Sequence, residues 1–210
     1  VETVWVEDTV PEGATVAASP GHATEWVTSA TGRVFSGERA LKRTDAGLAQ
    51  DVIENAVKPP LVIPPGGRLF AHVYLEPGNL PKAVMLQFHK GGWNHRAVWG
   101  DADAISWGAP NTAERRPMGA LPKAGEWVRL EFPAEQVGLK PGDQVTALAF
   151  TQYGGTVSWD RCGVVSTVDR AGDPAHSLAA WARQYESADP PAEVPGDVAL
   201  GYDSLAALQA

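Results

Sequence analysis

The chain has 210 residues and a net charge of −8, with 44% hydrophobic and 20% charged residues, which fits a folded chain and argues against a partner read through nucleic-acid phosphates. No apolar run approaches the roughly 18 residues that cross a bilayer, and 22 glycines with 17 prolines disfavour a helical bundle. Cys162 is the only cysteine, so these residues can hold no internal disulfide, no multi-cysteine zinc site and no cysteine-pair haem attachment.

The chain opens at Val1 without an apolar leader and is expected to be a processed or excised segment. Short alternating runs follow at residues 4–6, 25–28, 68–75, 83–90, 127–132, 144–152 and 156–160. Between them lie turn-formers such as Pro64-Pro65-Gly66-Gly67, Glu76-Pro77-Gly78-Asn79 and Lys140-Pro141-Gly142-Asp143. Several short strands with frequent turns and no helical period predict an all-β sandwich over residues 1–168. From 169 to 210 the pattern changes. Asp173-Pro174 reads as an N-cap and first helical residue, and Leu178, Trp181, Ala182 and Tyr185 follow one apolar helical face. The prolines from Asp189 to Gly196 end that helix in a linker. A short helical, proline-rich tail leading towards a further domain is therefore expected, with Trp181 packed on the sandwich.

Alternation assigns the inner faces. Leu69, Ala71, Val73 and Leu75 form one aliphatic set, Val84, Leu86 and Phe88 a second, and Val128, Leu130 and Phe132 a third. These sets face inward, because burying unpaired His, Gln or Arg costs a few kcal/mol each. The opposite positions carry His72, Tyr74, Gln87 and His89, extended by Trp93, His95, Arg96 and Trp99. Aromatic rings suit the apolar faces of sugars, while amide, imidazole and guanidinium groups suit hydroxyls. The same residues would also make a satisfied polar layer under a long loop, and alternation does not separate the two. His72, His89 and His95 together could also ligate a transition metal.

The order of local signals resembles jelly-roll, galactose-binding-like carbohydrate modules. The segments carrying it are Trp5-Val6-Glu7-Asp8, Phe35-Ser36-Gly37-Glu38-Arg39-Ala40-Leu41, Gly125-Glu126-Trp127-Val128-Arg129-Leu130 and Gly155-Thr156-Val157-Ser158-Trp159-Asp160. A resemblance over nearly the whole chain rests on three blocks: Gly91-Gly92-Trp93-Asn94-His95-Arg96-Ala97-Val98-Trp99-Gly100, Glu114-Arg115-Arg116-Pro117-Met118-Gly119, and residues 121–130. These look like a β-sandwich domain inside large planctomycete cytochrome c-type proteins that also carry domains of unknown function. The resemblance implies an exported, periplasmic or extracellular setting. It implies either a non-catalytic carbohydrate-binding-like module that holds a glycan, or a structural domain docking against the parent's haem or catalytic domains. The resemblance to galactose-binding-like carbohydrate modules also implies a structural Ca²⁺ held by Glu7 or Asp8, the residue 36–42 stretch and Asp160. Arg161 stands where such modules carry a second acid, so a guanidinium could serve the carboxylates instead.

Signals for catalysis are weak. Ser36, Ser106 and Ser158 lack a nucleophile-elbow context, and Asp101, Asp103 and Glu114 fit a solvated loop as well as a carboxylate pair. Cys162, set among Val164, Val165 and Trp159, reads as a small buried hydrophobe. Trp5, Trp26, Trp127 and Trp159 fit core or rim positions.

Overall fold

The computed structural model describes residues 1–166. The expected tail helix, Trp181 and the proline linker lie outside the described residues. Twelve strands account for the fold: β1 (Glu2–Val6), β2 (Thr15–Ala18), β3 (Glu25–Thr28), β4 (Arg39–Glu54), β5 (Leu61–Val62), β6 (Arg68–Leu75), β7 (Ala83–His89), β8 (His95–Gly100), β9 (Arg116–Gly119), β10 (Trp127–Pro133), β11 (Gln144–Val145) and β12 (Ala147–Val165). One 3-10 turn, Ala134–Val137, interrupts them. The architecture is an all-β sandwich of jelly-roll type.

Two long strands, β4 and β12, build both layers. The first half of β12 pairs with β7 through residues 147–153, and its second half pairs with β6 through residues 157–165. Strand β4 runs antiparallel to β12 through both halves, with a register shift between Tyr153 and Gly155. At that shift Gly154 and Gly155 take positive φ values of 68° and 78°, which residues with a side chain adopt only at a cost. The Gln152 amide donates to the carbonyls of Gly154 and Gly155 at 2.9 and 2.8 Å, pairing groups that the ladder leaves free.

The sharpness of the corner shows in β4. Arg43 and Asp51 are eight residues apart, roughly 26 Å in a straight strand. Their side chains nevertheless form a two-pronged buried ion pair, with Nε and Nη2 at 2.9 and 2.6 Å from the carboxylate oxygens. Thr24 donates to the same carboxylate at 2.9 Å. Strand β4 must therefore fold over on itself, and β12 with it.

One layer consequently holds β9, β8, β7 and the first half of β12, and the other holds β10, β6 and the second half of β12. Their inner faces meet in one core. Phe88 and Trp99 from the first layer contact Phe132 from the second, with ring centroids 6.3 and 5.7 Å apart, while Phe150 stacks on Trp159 across the bend at 5.0 Å. The aliphatic sets of β6 and β7 are buried in this core, with Leu130 and Phe132 of β10, and Val128 packs against it. The expected runs at 144–152 and 156–160 belong largely to the single bent strand β12. Strands β2, β5, β8 and β9, and most of β4, are additions to the sequence reading.

Candidate functional site

The fold divides the polar set that alternation places on one face. Strands β6 and β7 pair with different halves of β12, so their inner faces oppose and their outer faces point in opposite directions. His72 and Tyr74 therefore leave the set that contains Gln87.

On β6 every residue from Leu69 to Leu75 is buried. A loop crosses the outer side of this strand and places Phe35 flat on His72, with centroids 3.8 Å apart and planes at 14°. His72 Nδ1 lies 3.1 Å from the Arg161 carbonyl and donates to it. Burial, with the charge of Arg129 adding, outweighs this hydrogen bond and holds the imidazole pKa below its ordinary value. Tyr74 sits beneath Arg33, whose guanidinium carbon is 5.2 Å from the ring centroid, and beside Trp127 at 5.7 Å. His72 and Tyr74 are thus buried beneath this loop, at 5% and 6% exposure, and His72 is the one with its polar atom paired. Trp99 is a second correction: its ring points into the core against Phe132.

On the other layer no described segment covers the outer face of Gln87 and Gln50. Gln87 on β7 and Gln50 with Val52 on β4 make the floor of a groove of about 520 Å³. Arg96 on β8 reaches across this floor. Trp93 and Asn94, from the β7–β8 connection, form part of one wall, and Trp107, Gly108 and Glu114 from the long β8–β9 connection form another; Glu54 also lines the space. The long connection is fixed by packing. Ile105, fully buried, seals against Ala83, Met85 and Val98 on the outer side of β7 and β8, and Trp107 packs beside it. A half-buried indole is thereby held at the groove without being drawn into the core.

The polar floor is one hydrogen-bonded unit. Arg96 Nε donates to Gln87 Oε1 at 2.7 Å, and Arg96 Nη1 donates to the Glu114 carbonyl at 3.1 Å. Gln87 Nε2 donates to Thr151 Oγ1 at 2.8 Å and to Gln50 Oε1 at 2.9 Å. Burial lowers the Arg96 pKa, with the Glu114 charge opposing, and the guanidinium remains charged at neutral pH.

His89 and Trp93 also line a neighbouring hollow of about 240 Å³ with Glu54, Asn55, Val57, Thr146 and Ala147. Their rings meet edge-on at 5.3 Å, and His89 Nδ1 lies 3.1 Å from Thr146 Oγ1. His95 is turned aside, its Nδ1 donating to the Val137 carbonyl at 2.7 Å. His72, in the opposite layer, cannot join the other two histidines around one metal ion.

The three expected calcium carboxylates lie near one another but are already served by donors. Asp160 accepts the backbone N–H groups of Phe35 and Ser36 at 2.8 and 3.2 Å on one oxygen, and that of Arg161 at 2.8 Å on the other. Burial, with the Glu7 charge adding, keeps its pKa above the usual carboxylate value even against these amides. Asp8 accepts the N–H groups of Glu38 and Arg39 at 2.7 and 2.9 Å. Glu7 accepts Ser36 Oγ at 2.5 Å and Arg161 Nη1 at 3.0 Å, while Arg161 also binds Glu2 at 3.1 Å. Calcium needs six to eight oxygens facing one point. Here backbone amides, the Ser36 hydroxyl and the Arg161 guanidinium serve both oxygens of Asp160 and one oxygen each of Glu7 and Asp8, and no group of three or more His, Cys, Asp or Glu among the described residues is arranged to hold a metal. The donor set does not fit Ca²⁺.

Sequence reasoning missed Gln50, Glu54 and Trp107. Charged Arg43, Asp45 and Asp51 break the alternation of β4, and Trp107 lies in a loop with no periodic signal. Glu114 is visible in the sequence only as a loop carboxylate.

No protein-family model matches the chain, and no curated protein matches it. Solved structures of similar fold include a structure described as a carbohydrate-binding module of the β-sandwich superfamily, with a TM-score of 0.43, 15% identity, 73% of this chain and 57% of that one covered. The family 11 carbohydrate-binding module from Clostridium thermocellum, bound to a β-1,3-1,4-mixed-linked tetrasaccharide, gives a TM-score of 0.48 at 9% identity, with 80% and 97% covered. The K2 cleaved adhesin domain of Lys-gingipain gives 0.44 at 10% identity, with 79% and 99% covered. The chain spans less than two thirds of the first of these structures.

Proposed function

We propose that residues 1–166 form a non-catalytic carbohydrate-binding module that holds a glycan in the groove over β4, β12, β7 and β8. One observation carries this reading: two half-buried indoles, Trp93 and Trp107, flank a rigid polar floor of Gln50, Gln87 and Arg96 in an open groove of about 520 Å³. Indole faces take the C–H surfaces of sugar rings, and fixed amide and guanidinium groups take oxygens at little entropic cost. An open groove suits a chain of sugars better than a small molecule that must be enclosed.

The reading assigns Trp93 and Arg96 to the ligand, Gln87 to the buried floor beneath them and His89 to the groove's extension, with Gln50, Glu54, Trp107 and Glu114 added. His72, Tyr74 and Trp99 have structural roles. An exported setting accompanies this role. No helix among the described residues is long and apolar enough to cross a membrane.

The test is binding of the 210-residue chain to a panel of soluble polysaccharides, followed by tryptophan fluorescence and calorimetry. Trp93→Ala and Trp107→Ala should each weaken binding by about 1–3 kcal/mol, while Trp127→Ala on the opposite layer leaves affinity unchanged. Equal losses at all three positions, or no binding to any glycan, would overturn it.

A further inference from the structure

We infer that the groove floor offers its ligand only hydrogen-bond donors, that buried Gln87 is the positioning residue that sets this polarity, and that the ligand is an uncharged glycan. The ligand class rests on the carbohydrate reading above; the polarity rests on hydrogen bonds alone.

The direction of every bond follows from one atom. Arg96 Nε carries a hydrogen and cannot accept, so the Gln87 atom 2.7 Å away is its carbonyl oxygen. The Gln87 amide nitrogen then faces the other way, towards Thr151 Oγ1 and Gln50 Oε1. Thr151 Oγ1, having accepted that N–H, passes its own hydrogen to Gln50 Oε1 at 3.3 Å. Gln50 therefore spends its carbonyl on the buried side, and its NH₂ group remains for the groove that it lines. Arg96 Nη1 is engaged by the Glu114 carbonyl, and its Nη2 has no partner among the described residues. Gln87 and Thr151 are 3% and 0% exposed, so ligand reaches Gln50 and Arg96 but not the residues that orient them.

The rim has the opposite character. Glu54 and Glu114 both line the groove, and an ionised carboxylate only accepts. A sugar hydroxyl can accept from the floor and donate to the rim. A uronate would suit two floor donors but would bring its negative charge beside two carboxylates, a mismatch that rejects the wrong ligand. The groove is thus built for uncharged sugars.

Gln87→Glu is the isosteric probe. The carboxylate it introduces still accepts from Arg96 but cannot donate to Gln50, so the Gln50 amide turns over and presents its carbonyl to the groove. In ¹⁵N NMR of the wild-type chain, the Gln50 side-chain NH₂ should exchange rapidly with water while that of Gln87 is protected; in the variant, the Gln50 NH₂ becomes protected. Affinity for a neutral polysaccharide should fall about tenfold in the variant. Wild-type protein should bind neutral polysaccharide and leave polygalacturonate free, and the Glu54→Gln, Glu114→Gln double variant should bind both. Reversed exchange in the wild type, which needs no variant to fold, would overturn the polarity. Polygalacturonate binding by wild type as tight as that of neutral glycan would overturn the ligand class. The predicted exchange pattern without binding of any glycan would defeat the carbohydrate reading and the ligand class with it, and leave the floor polarity standing.

Discussion

Phe35 lies flat on His72, with 3.8 Å between ring centroids, and this stack closes the outer side of β6. The loop carrying Phe35 is tied down by Asp160, which accepts the N–H groups of Phe35 and Ser36. One sandwich layer is therefore sealed by its own chain, and among the described residues the other carries an open groove.

The seal should be visible in the pH dependence of stability. Burial holds the folded His72 pKa below 6.5, so the unfolded chain takes up this proton first as pH falls. The His72 contribution is complete above about pH 6.5 and is lost as pH falls below it towards the folded pKa. His72→Phe keeps a ring under Phe35 and cannot titrate. Between pH 7.5 and 5.5 the wild-type Tm should fall relative to that of the variant; parallel curves would rule the assignment out.

The carboxylate cluster predicts cation independence. Because Arg161 and backbone amides serve Glu7, Asp8 and Asp160, neither a chelator nor millimolar Ca²⁺ should move the wild-type Tm. A ligand bound to the native state would raise it by mass action, and a rise of several degrees in Ca²⁺ would show that the cluster rearranges around the ion. Arg161→Ala should lower stability by about 1 kcal/mol, modest because the guanidinium is partly exposed.

At the bend of β12, Gly155 combines a φ of +78° with close backbone neighbours. An added Cβ would stand 2.7 Å from the Leu80 carbonyl carbon. Gly155→Ala should cost about 3 kcal/mol in a denaturant titration. Gly78→Ala, where nothing lies within 4 Å, is the control and should be nearly neutral. Similar midpoints for the two would mean that the bend tolerates a side chain.

Cys162 is fully buried, and burial pushes its thiol pKa up to about 12. At pH 8 a disulfide reagent should leave the native protein unlabelled and react stoichiometrically after unfolding. Rapid labelling without unfolding would place the thiol at the surface.

The sequence by itself determined the β class, most strand positions and the inner faces of β6, β7 and β10. Those properties are local: a period of two fixes which residues share a side, and Gly-Pro clusters mark where strands stop. The aliphatic sets of β6 and β7 and the burial of Cys162 follow from this alone. Membership of a common layer was decided by the tertiary structure. His72 and Gln87 have the same alternation phase relative to their cores, yet the fold of β4 and β12 at Asp45 to Gln50 and Gly154-Gly155 turns their outer faces away from each other. That bend depends on pairings between residues about a hundred positions apart, such as Asp45 with Gly155, which leave no periodic trace in either segment. The groove likewise required Gln50, Gln87, Arg96 and Trp107 to meet from three strands and a loop. Each residue type was visible in the sequence, but only long-range packing set the distances and hydrogen-bond directions that make them one site.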